Sequence, residues 1–90
     1  MNSKLKNKLR AIFNKHDPIG IYEDEKTNFD EYDPEIERLI PRFQRSNNLN
    51  EFTQEIYDLF QKMFSPELAG PKTRYKKLAK EVYDLLRRNK

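Results

Sequence analysis

The 90-residue chain has no cysteine, no tryptophan and a single histidine, His16. The absence of cysteine excludes disulfides, thiolate nucleophiles and cysteine-ligated zinc. The sequence around His16 has no arrangement of a serine with an acid that would form a catalytic triad. A single histidine also does not make a histidine-based metal site. Paired carboxylates are abundant, but acid–base catalysis requires an enclosed apolar pocket that separates their pKa values, and a chain of this size has little room for one. We therefore expect no cofactor, no metal and no enzymatic activity.

Long apolar runs are also missing. No stretch approaches the roughly 20 apolar residues of a membrane span, and the basic N-terminal segment lacks the apolar region of a signal peptide. The length favours one domain over residues 1–90 with a modest core. We expect a cytoplasmic protein that is a monomer or a weak dimer.

Charge is distributed unevenly along the chain. The net charge is +5 in residues 1–16, −8 in residues 17–37 and +6 in residues 71–90, against +3 for the whole chain. This alternation predicts that the acidic part lies near the basic terminal helices, where each exposed ion pair contributes about 0–1 kcal/mol.

Four segments show the spacing of amphipathic helices, and no segment alternates like a strand. The first helix is predicted from about Ser3 to Lys15, and the second begins at Asp33 as N-cap with Pro34 as its first residue. Pro41 is expected to kink the second helix, because proline removes one backbone hydrogen bond and clashes with the preceding turn. The predicted buried stripes of these two helices are Leu5, Leu9, Ile12 and Phe13, then Ile36, Leu39, Ile40 and Phe43.

Two further helices complete the predicted fold. Asn48 and Glu51 resemble a capping box that starts the third helix, which runs to about Phe64. Gly70 and Pro71 are placed as the N-cap and first residue of the fourth. The predicted buried residues are Leu49, Phe52, Ile56, Leu59, Phe60 and Met63, then Tyr75, Leu78, Ala79, Val82, Leu85 and Leu86. The fold class is therefore all-α, an array or irregular bundle of four helices.

The segment from Asp17 to Tyr32, called here the acidic connection, is sixteen residues long. Helix-to-helix links usually have about 2–8 residues, and longer ones in compact domains tend to be functional or disordered. Two isoleucines and three aromatic residues in this span argue against a disordered linker. We therefore expect Ile19 and Ile21 to pack onto the helices.

The acids of this region admit two interpretations. The first is a calcium-binding loop that starts at Asp24. Lys26 would then stand at the third ligand and Phe29 where the sharp turn requires glycine, and both residues argue against calcium binding. The favoured interpretation is that Asp30, Glu31 and Asp33 cap the second helix. No specific calcium site is predicted.

Three motifs together resemble a known family. They are Asp17-Pro18-Ile19-Gly20, Asp30-Glu31-Tyr32-Asp33 and Ala69-Gly70-Pro71 with Tyr75, Leu78 and Ala79. This DPIG…DEYD arrangement resembles the YugE-like family of small bacterial helical proteins, a domain of unknown function. The resemblance implies a four-helix array in a bacterial cytoplasm and no particular reaction. Related short proteins occur as candidate immunity proteins beside bacterial toxins, which implies a protein partner.

Two binding functions remain open. The first is a protein–protein interaction in which the acidic connection meets a basic partner such as a toxin, since opposite fields speed association. Its predicted contact residues combine acids with aromatic anchors: Tyr22, Glu23, Asp24, Glu25, Phe29, Asp30, Glu31 and Tyr32. The alternative is nucleic-acid binding through the basic first and fourth helices. No aromatic residues interleave with their exposed lysines, and the acidic segment would repel a polyanion, so the first function is favoured.

Overall fold

The fold is all-α, as predicted. The computed structural model describes residues 3–20 and 32–88, and this part of the chain contains no strand. Its helices are α1 (Ser3–His16), α2 (Asp33–Gln44), α3 (Leu49–Met63), α4 (Pro66–Ala69) and α5 (Lys76–Arg88), with a 3₁₀ helix at Lys72–Tyr75 between α4 and α5. Four of the α-helices are substantial, and α4 is a single turn.

The end of α1 and the start of α3 follow the predicted signals. After His16 the chain turns at Asp17, whose φ of 44° is left-handed and whose N–H donates to the Phe13 carbonyl at 2.7 Å. At α3 the Oδ1 atom of Asn48 accepts from the Glu51 N–H at 2.9 Å. Glu51 Oε1 accepts in return from the N–H of Asn47, also at 2.9 Å. The capping box is confirmed, with its return bond one residue earlier than in the standard motif.

The start of α2 differs from the prediction. The helix begins at Asp33, the cap position belongs to Tyr32, and no side chain makes the capping hydrogen bond. The carboxylate of Asp33 instead receives the guanidinium of Arg10, a charge-assisted bidentate pair stronger than a single bond to a backbone N–H. The assignment of Asp33 as N-cap was therefore wrong. Asp30 and Glu31, the other predicted capping residues, lie outside the described residues.

The start of the last helix was also predicted wrongly. Ser65 caps α4 by accepting from the Leu68 N–H at 3.2 Å. Gly70, with φ of 75°, ends α4 instead of capping the next helix. Pro71 is extended and leads into the 3₁₀ helix. A Gly-Pro pair suits both the end of one helix and the approach to another, and here it serves both.

The core is built around α3, which contacts α2, α4, α5 and the 3₁₀ helix, while α1 packs on α2 and α5. The predicted apolar stripes face this core. Its buried apolar residues are Leu9, Phe13, Tyr32, Ile36, Leu39, Phe43, Phe52, Ile56, Leu59, Phe60, Ala69, Tyr75, Leu78, Ala79, Val82, Leu85 and Leu86. The predicted residues Leu5, Ile12, Ile40, Leu49 and Met63 are partly buried at its margin.

Helix α2 runs without interruption through Pro41 to Gln44. Phe43, beyond the proline, still reaches the core and meets the rings of Phe52 and Tyr83, each at a centroid distance of 5.6 Å. The apolar stripe predicted for α2 thus stays in phase across the proline, while the kink at Pro41 stays a prediction. None of the helices in the two described ranges is long and apolar enough to cross a membrane.

Candidate functional site

Tyr32 is the one predicted partner-binding residue that the structure describes. The other seven, Tyr22, Glu23, Asp24, Glu25, Phe29, Asp30 and Glu31, lie outside the described residues. The side chain of Tyr32 is only 1% exposed. Its ring lies 5.9 Å from the ring of Phe13 and 6.1 Å from that of Phe60. The expectation that Tyr32 is an exposed anchor is corrected, because its ring fills the core between α1 and α3.

The hydroxyl of Tyr32 joins the two ends of the acidic connection. It donates to Asp17 Oδ1 at 2.6 Å and accepts from the N–H of Ile19 at 3.2 Å. Ile19 is partly buried and packs on the core, as predicted, while Ile21 lies outside the described residues. We call these three residues, Asp17, Ile19 and Tyr32, the stem of the connection.

Arg74 ties the stem to the corner after α4. Its Nη1 atom lies 2.7 Å from the carbonyl oxygen of Pro18, 3.2 Å from that of Ala69 and 3.3 Å from that of Leu68, and donates to all three. A Cβ added at Gly70 would lie 2.5 Å from the Cζ atom of Arg74. Glycine therefore supplies both the positive φ and the space for this guanidinium.

The hydroxyl of Tyr75 completes the same corner by donating to the Ala69 carbonyl at 2.6 Å. Burial raises the pKa of Tyr75 from 10.0 to about 12, so the phenol continues to donate even at pH values at which an exposed tyrosine ionises. The ring of Tyr75 lies 5.3 Å from that of Phe60, which links the corner to the aromatic cluster around Tyr32.

The basic face of α1 is matched by acids of α2. Arg10 holds Asp33 through Nε to Oδ1 at 2.8 Å and Nη2 to Oδ2 at 2.5 Å. Lys6 pairs with Glu37 at 2.9 Å and approaches Asp33 at 3.4 Å. The hydrogen bond from Arg10 is the largest cause that lowers the pKa of Asp33 below its ordinary value. The predicted approach of the acidic segment to the first helix is confirmed for these two acids.

The C-terminal end of α1 is held by Glu81 of α5. Lys15 Nζ lies 2.5 Å from Glu81 Oε1, and His16 Nε2 contacts Glu81 Oε2. Hydrogen bonds from Lys15 and then His16 lower the pKa of Glu81. His16 occupies the last position of α1, one residue beyond the predicted end, and its contact is with a carboxylate of another helix.

A second surface was not identified as a site from the sequence. A groove of about 690 Å³ lies between the first turns of α3 and the segment from the 3₁₀ helix into α5. We call it the lysine groove, and its lining residues are Leu49, Asn50, Thr53, Lys72, Thr73, Lys76, Lys77 and Lys80. The four-residue spacing of Lys72, Lys76 and Lys80 is visible in the sequence, but the opposite wall comes from α3 and appears only in the fold.

Comparison with known proteins gives no relative: no family model, no curated protein and no solved structure matches the chain. Within residues 3–20 and 32–88, no group of three or more histidine, cysteine or acidic side chains could hold a metal ion. The chemistry of the described residues is that of ion pairs, helix caps and an open groove.

Proposed function

We propose that the chain is a non-enzymatic protein-binding module whose acidic connection contacts a basic partner protein. The observation that carries the proposal is the stem. Tyr32 closes the connection from inside the core, and Arg74 fixes the carbonyl of Pro18 to the neighbouring corner. A long connection whose ends are pinned on a packed scaffold is the arrangement by which proteins present binding loops.

The sequence between the stem residues supplies the recognition chemistry. Residues 21–31 carry Glu23, Asp24, Glu25, Asp30 and Glu31 against a single lysine, Lys26. Tyr22 and Phe29 in the same span provide aromatic anchors, and aromatic residues within a charged rim are typical of interface hot spots. Such a segment suits a partner with a basic surface.

The identity of the partner class rests on the resemblance to the YugE-like family. Some relatives of that family are candidate immunity proteins, so the proposed partner is a basic toxin protein in a bacterial cytoplasm. Toxins that act on nucleic acid carry basic surfaces, and an acidic inhibitor would associate with them rapidly at low salt.

Nucleic-acid binding through the first helix is less well supported. Lys6, Arg10 and Lys15 on α1 are engaged with carboxylates of α2 and α5. Binding a polyanion there would require breaking these ion pairs.

The proposed function can be tested by charge reversal in the connection. The protein encoded by the adjacent gene is purified, and its binding to the chain is measured by interferometry. We expect the double variant Asp24→Lys/Glu25→Lys to lose about tenfold or more in affinity. The matched control is Asp58→Lys/Glu67→Lys, which changes the net charge equally at exposed positions on α3 and α4. If the connection variant folds by circular dichroism and binds as tightly as the control variant, the connection is not the interface.

A further inference from the structure

The lysine groove has one charged wall and one nearly neutral wall. Lys72, Lys76 and Lys80 follow one another at four-residue intervals, so Lys76 and Lys80 are about 6 Å apart along the axis of α5. The opposite wall is the start of α3, where partly buried Leu49 packs on the core and Asn50 is exposed. The groove thus places a row of cations beside an apolar side chain.

The groove lysines are not neutralised within the described part of the chain. No described carboxylate lies within ion-pair distance of Lys72, Lys76 or Lys77, and Lys80 makes only a 3.7 Å contact with Asp84 of its own helix. Lys6, Arg10 and Lys15 of α1 are each paired with a carboxylate, whereas Lys4 and Lys8 of the same helix have no carboxylate within ion-pair distance among the described residues. What distinguishes the groove is that it brings together four lysines, Lys72, Lys76, Lys77 and Lys80, that no acid of another described element neutralises.

The position of these lysines is unfavourable for α5 itself. The N-terminus of a helix carries a partial positive charge and favours acids. Helices α2, α3 and α4 each have an acid in the first turn, whereas α1 and α5 have none. The 3₁₀ helix that leads directly into α5 also has none, so Lys72, Lys76 and Lys77 occupy the start of this continuous helical segment. Lysines four residues apart also repel one another. A sequence that breaks local rules of stability in this way is typical of a functional surface, and a bound anion would relieve the repulsion.

We propose that the lysine groove binds an acidic polypeptide segment, whose carboxylates meet the lysines and whose apolar side chain packs against Leu49. An amphipathic acidic segment satisfies both walls at once, as in helix-in-groove recognition. Among the described residues, the lining of the groove has no aromatic side chain on which a nucleobase could stack and no arginine to bind phosphate bidentately. The charge and the apolar wall together favour a polypeptide over a nucleic acid. Binding at the groove involves the described lining residues and does not depend on the function proposed for the acidic connection.

The probe is a short fluorescent peptide with leucines at four-residue spacing and glutamates between them. Its controls are the same peptide with glutamine in place of glutamate, and labelled mixed-sequence DNA and RNA. Binding to the full chain is measured by fluorescence anisotropy between about 50 and 200 mM salt. We expect the acidic peptide to bind, the glutamine peptide to bind at least about tenfold more weakly, and the affinity to fall with salt.

Groove variants locate the site. Lys76→Glu/Lys80→Glu should weaken peptide binding by about tenfold or more. The matched control Lys4→Glu/Lys62→Glu changes the net charge equally at exposed positions outside the groove and should bind within about threefold of the native chain. Because the double variant could alter folding, Asn50→Glu provides a second probe. It places a carboxylate in the first turn of α3, where the dipole favours it, and should weaken peptide binding while the chain remains helical by circular dichroism.

Three results would overturn the proposal. The first is absence of peptide binding at low salt. The second is an equal loss of binding in the Lys4→Glu/Lys62→Glu control, which would indicate unspecific charge attraction. The third is tighter binding of DNA or RNA than of the peptide at the same salt, lost in the groove variants, which would assign the groove to nucleic acid.

Discussion

The hydroxyl of Tyr32 and the carboxylate of Asp17 form a 2.6 Å hydrogen bond across a sequence separation of 15. The tyrosine ring is fixed between Phe13 and Phe60, so the core determines where the acidic connection begins and ends. For this reason, charge reversal in the connection is expected to change binding without unfolding the domain.

Substitution of Tyr32 by phenylalanine tests the stem. The variant keeps the ring in the core but removes the partner of Asp17 and of the Ile19 N–H. Loss of a hydrogen bond to a charged group costs about 1.5–3 kcal/mol, and we expect the free energy of unfolding to fall by that amount in urea titration. The control is Tyr83→Phe, whose ring packs on Phe43 at the other end of the core. If the free energy of unfolding falls by the same small amount in both variants, the hydrogen bond between Tyr32 and Asp17 makes no specific contribution to stability.

Gly20 and Gly70 provide a comparison that tests Arg74. Their φ angles are 77° and 75°, but a Cβ at Gly20 meets no atom within 4 Å, whereas one at Gly70 meets the Arg74 guanidinium. Gly20→Ala should cost about 1–2 kcal/mol from the positive φ alone. Gly70→Ala should cost about 1–3 kcal/mol more for two reasons: its ψ of −164° lies in a region essentially restricted to glycine, and Arg74 must leave its carbonyl partners.

A double-mutant cycle separates the two contributions. In an Arg74→Met background the cost of Gly70→Ala should fall by the part that comes from displacing the guanidinium, and the backbone cost at Gly70 should remain. Thermal and urea unfolding of the four proteins provide the measurement. If Gly70→Ala is as mild as Gly20→Ala in the native background, the guanidinium can move without loss and the corner is not held by Arg74.

The helices and most of the core were predictable because apolar periodicity is a local property of the sequence. The stripe of Leu9 and Phe13 on α1 and that of Val82 and Leu86 on α5 face the core as their spacing indicated. Tyr32 was misplaced because its neighbours in sequence are acids and suggest a surface. Its burial depends on rings contributed by α1 and α3, which no local pattern shows.

The lysine groove and the two wrong helix starts have a similar physical origin. The spacing of Lys76 and Lys80 is compatible with an ordinary solvated face, and only the packing of α3 beside α5 turns it into a groove. At Asp33 the capping bond competes with Arg10 from another helix, and the ion pair is formed instead. Local sequence patterns predicted the helices, but contacts between helices determine which partners their polar side chains bind.

The pair of Arg10 and Asp33 predicts an acid-sensitive component of stability. The pKa of Asp33 in the folded chain is lowered from an ordinary value of 3.8, chiefly by the hydrogen bond from Arg10. The unfolded chain therefore binds more protons in this range, and the stabilisation is present above about pH 4 and is lost as pH falls through the lower folded pKa. Arg10→Gln should reduce the free energy of unfolding at pH 7 and flatten its decline below about pH 5.

Urea titrations over a pH series provide this measurement. Arg38→Gln is the control, because Arg38 is exposed and the structure shows it donating to the Pro34 carbonyl of its own helix at 3.4 Å. In Arg38→Gln the free energy of unfolding should decline below about pH 5 as steeply as it does in the native chain. If the free energy of unfolding of Arg10→Gln falls with decreasing pH as steeply as that of the native chain, this component of stability does not come from Asp33.

Pro41 should be a site where stability can be gained. It is exposed within α2 and cannot donate the helical hydrogen bond to the carbonyl of Glu37. Proline in a helix interior is about 3 kcal/mol less favourable than alanine, and part of this is offset because proline also restricts the unfolded chain. We therefore expect Pro41→Ala to raise the free energy of unfolding by about 1–3 kcal/mol. Pro34→Ala, at the start of α2 where proline is well tolerated, should change it by less than about 1 kcal/mol.

A fall in the free energy of unfolding in Pro41→Ala would instead indicate that Pro41 has a role in packing. Two residues beyond it, Phe43 meets Phe52 and Tyr83, each at a ring distance of 5.6 Å. If these contacts require the local geometry that proline imposes, a change in that geometry in Pro41→Ala would draw Phe43 away from both rings, and the free energy of unfolding would fall. Near-ultraviolet circular dichroism distinguishes the cases, because displacement of Phe43 changes the surroundings of the Tyr83 ring. A gain in stability with an unchanged aromatic spectrum would show that Pro41 can be replaced without cost to the core.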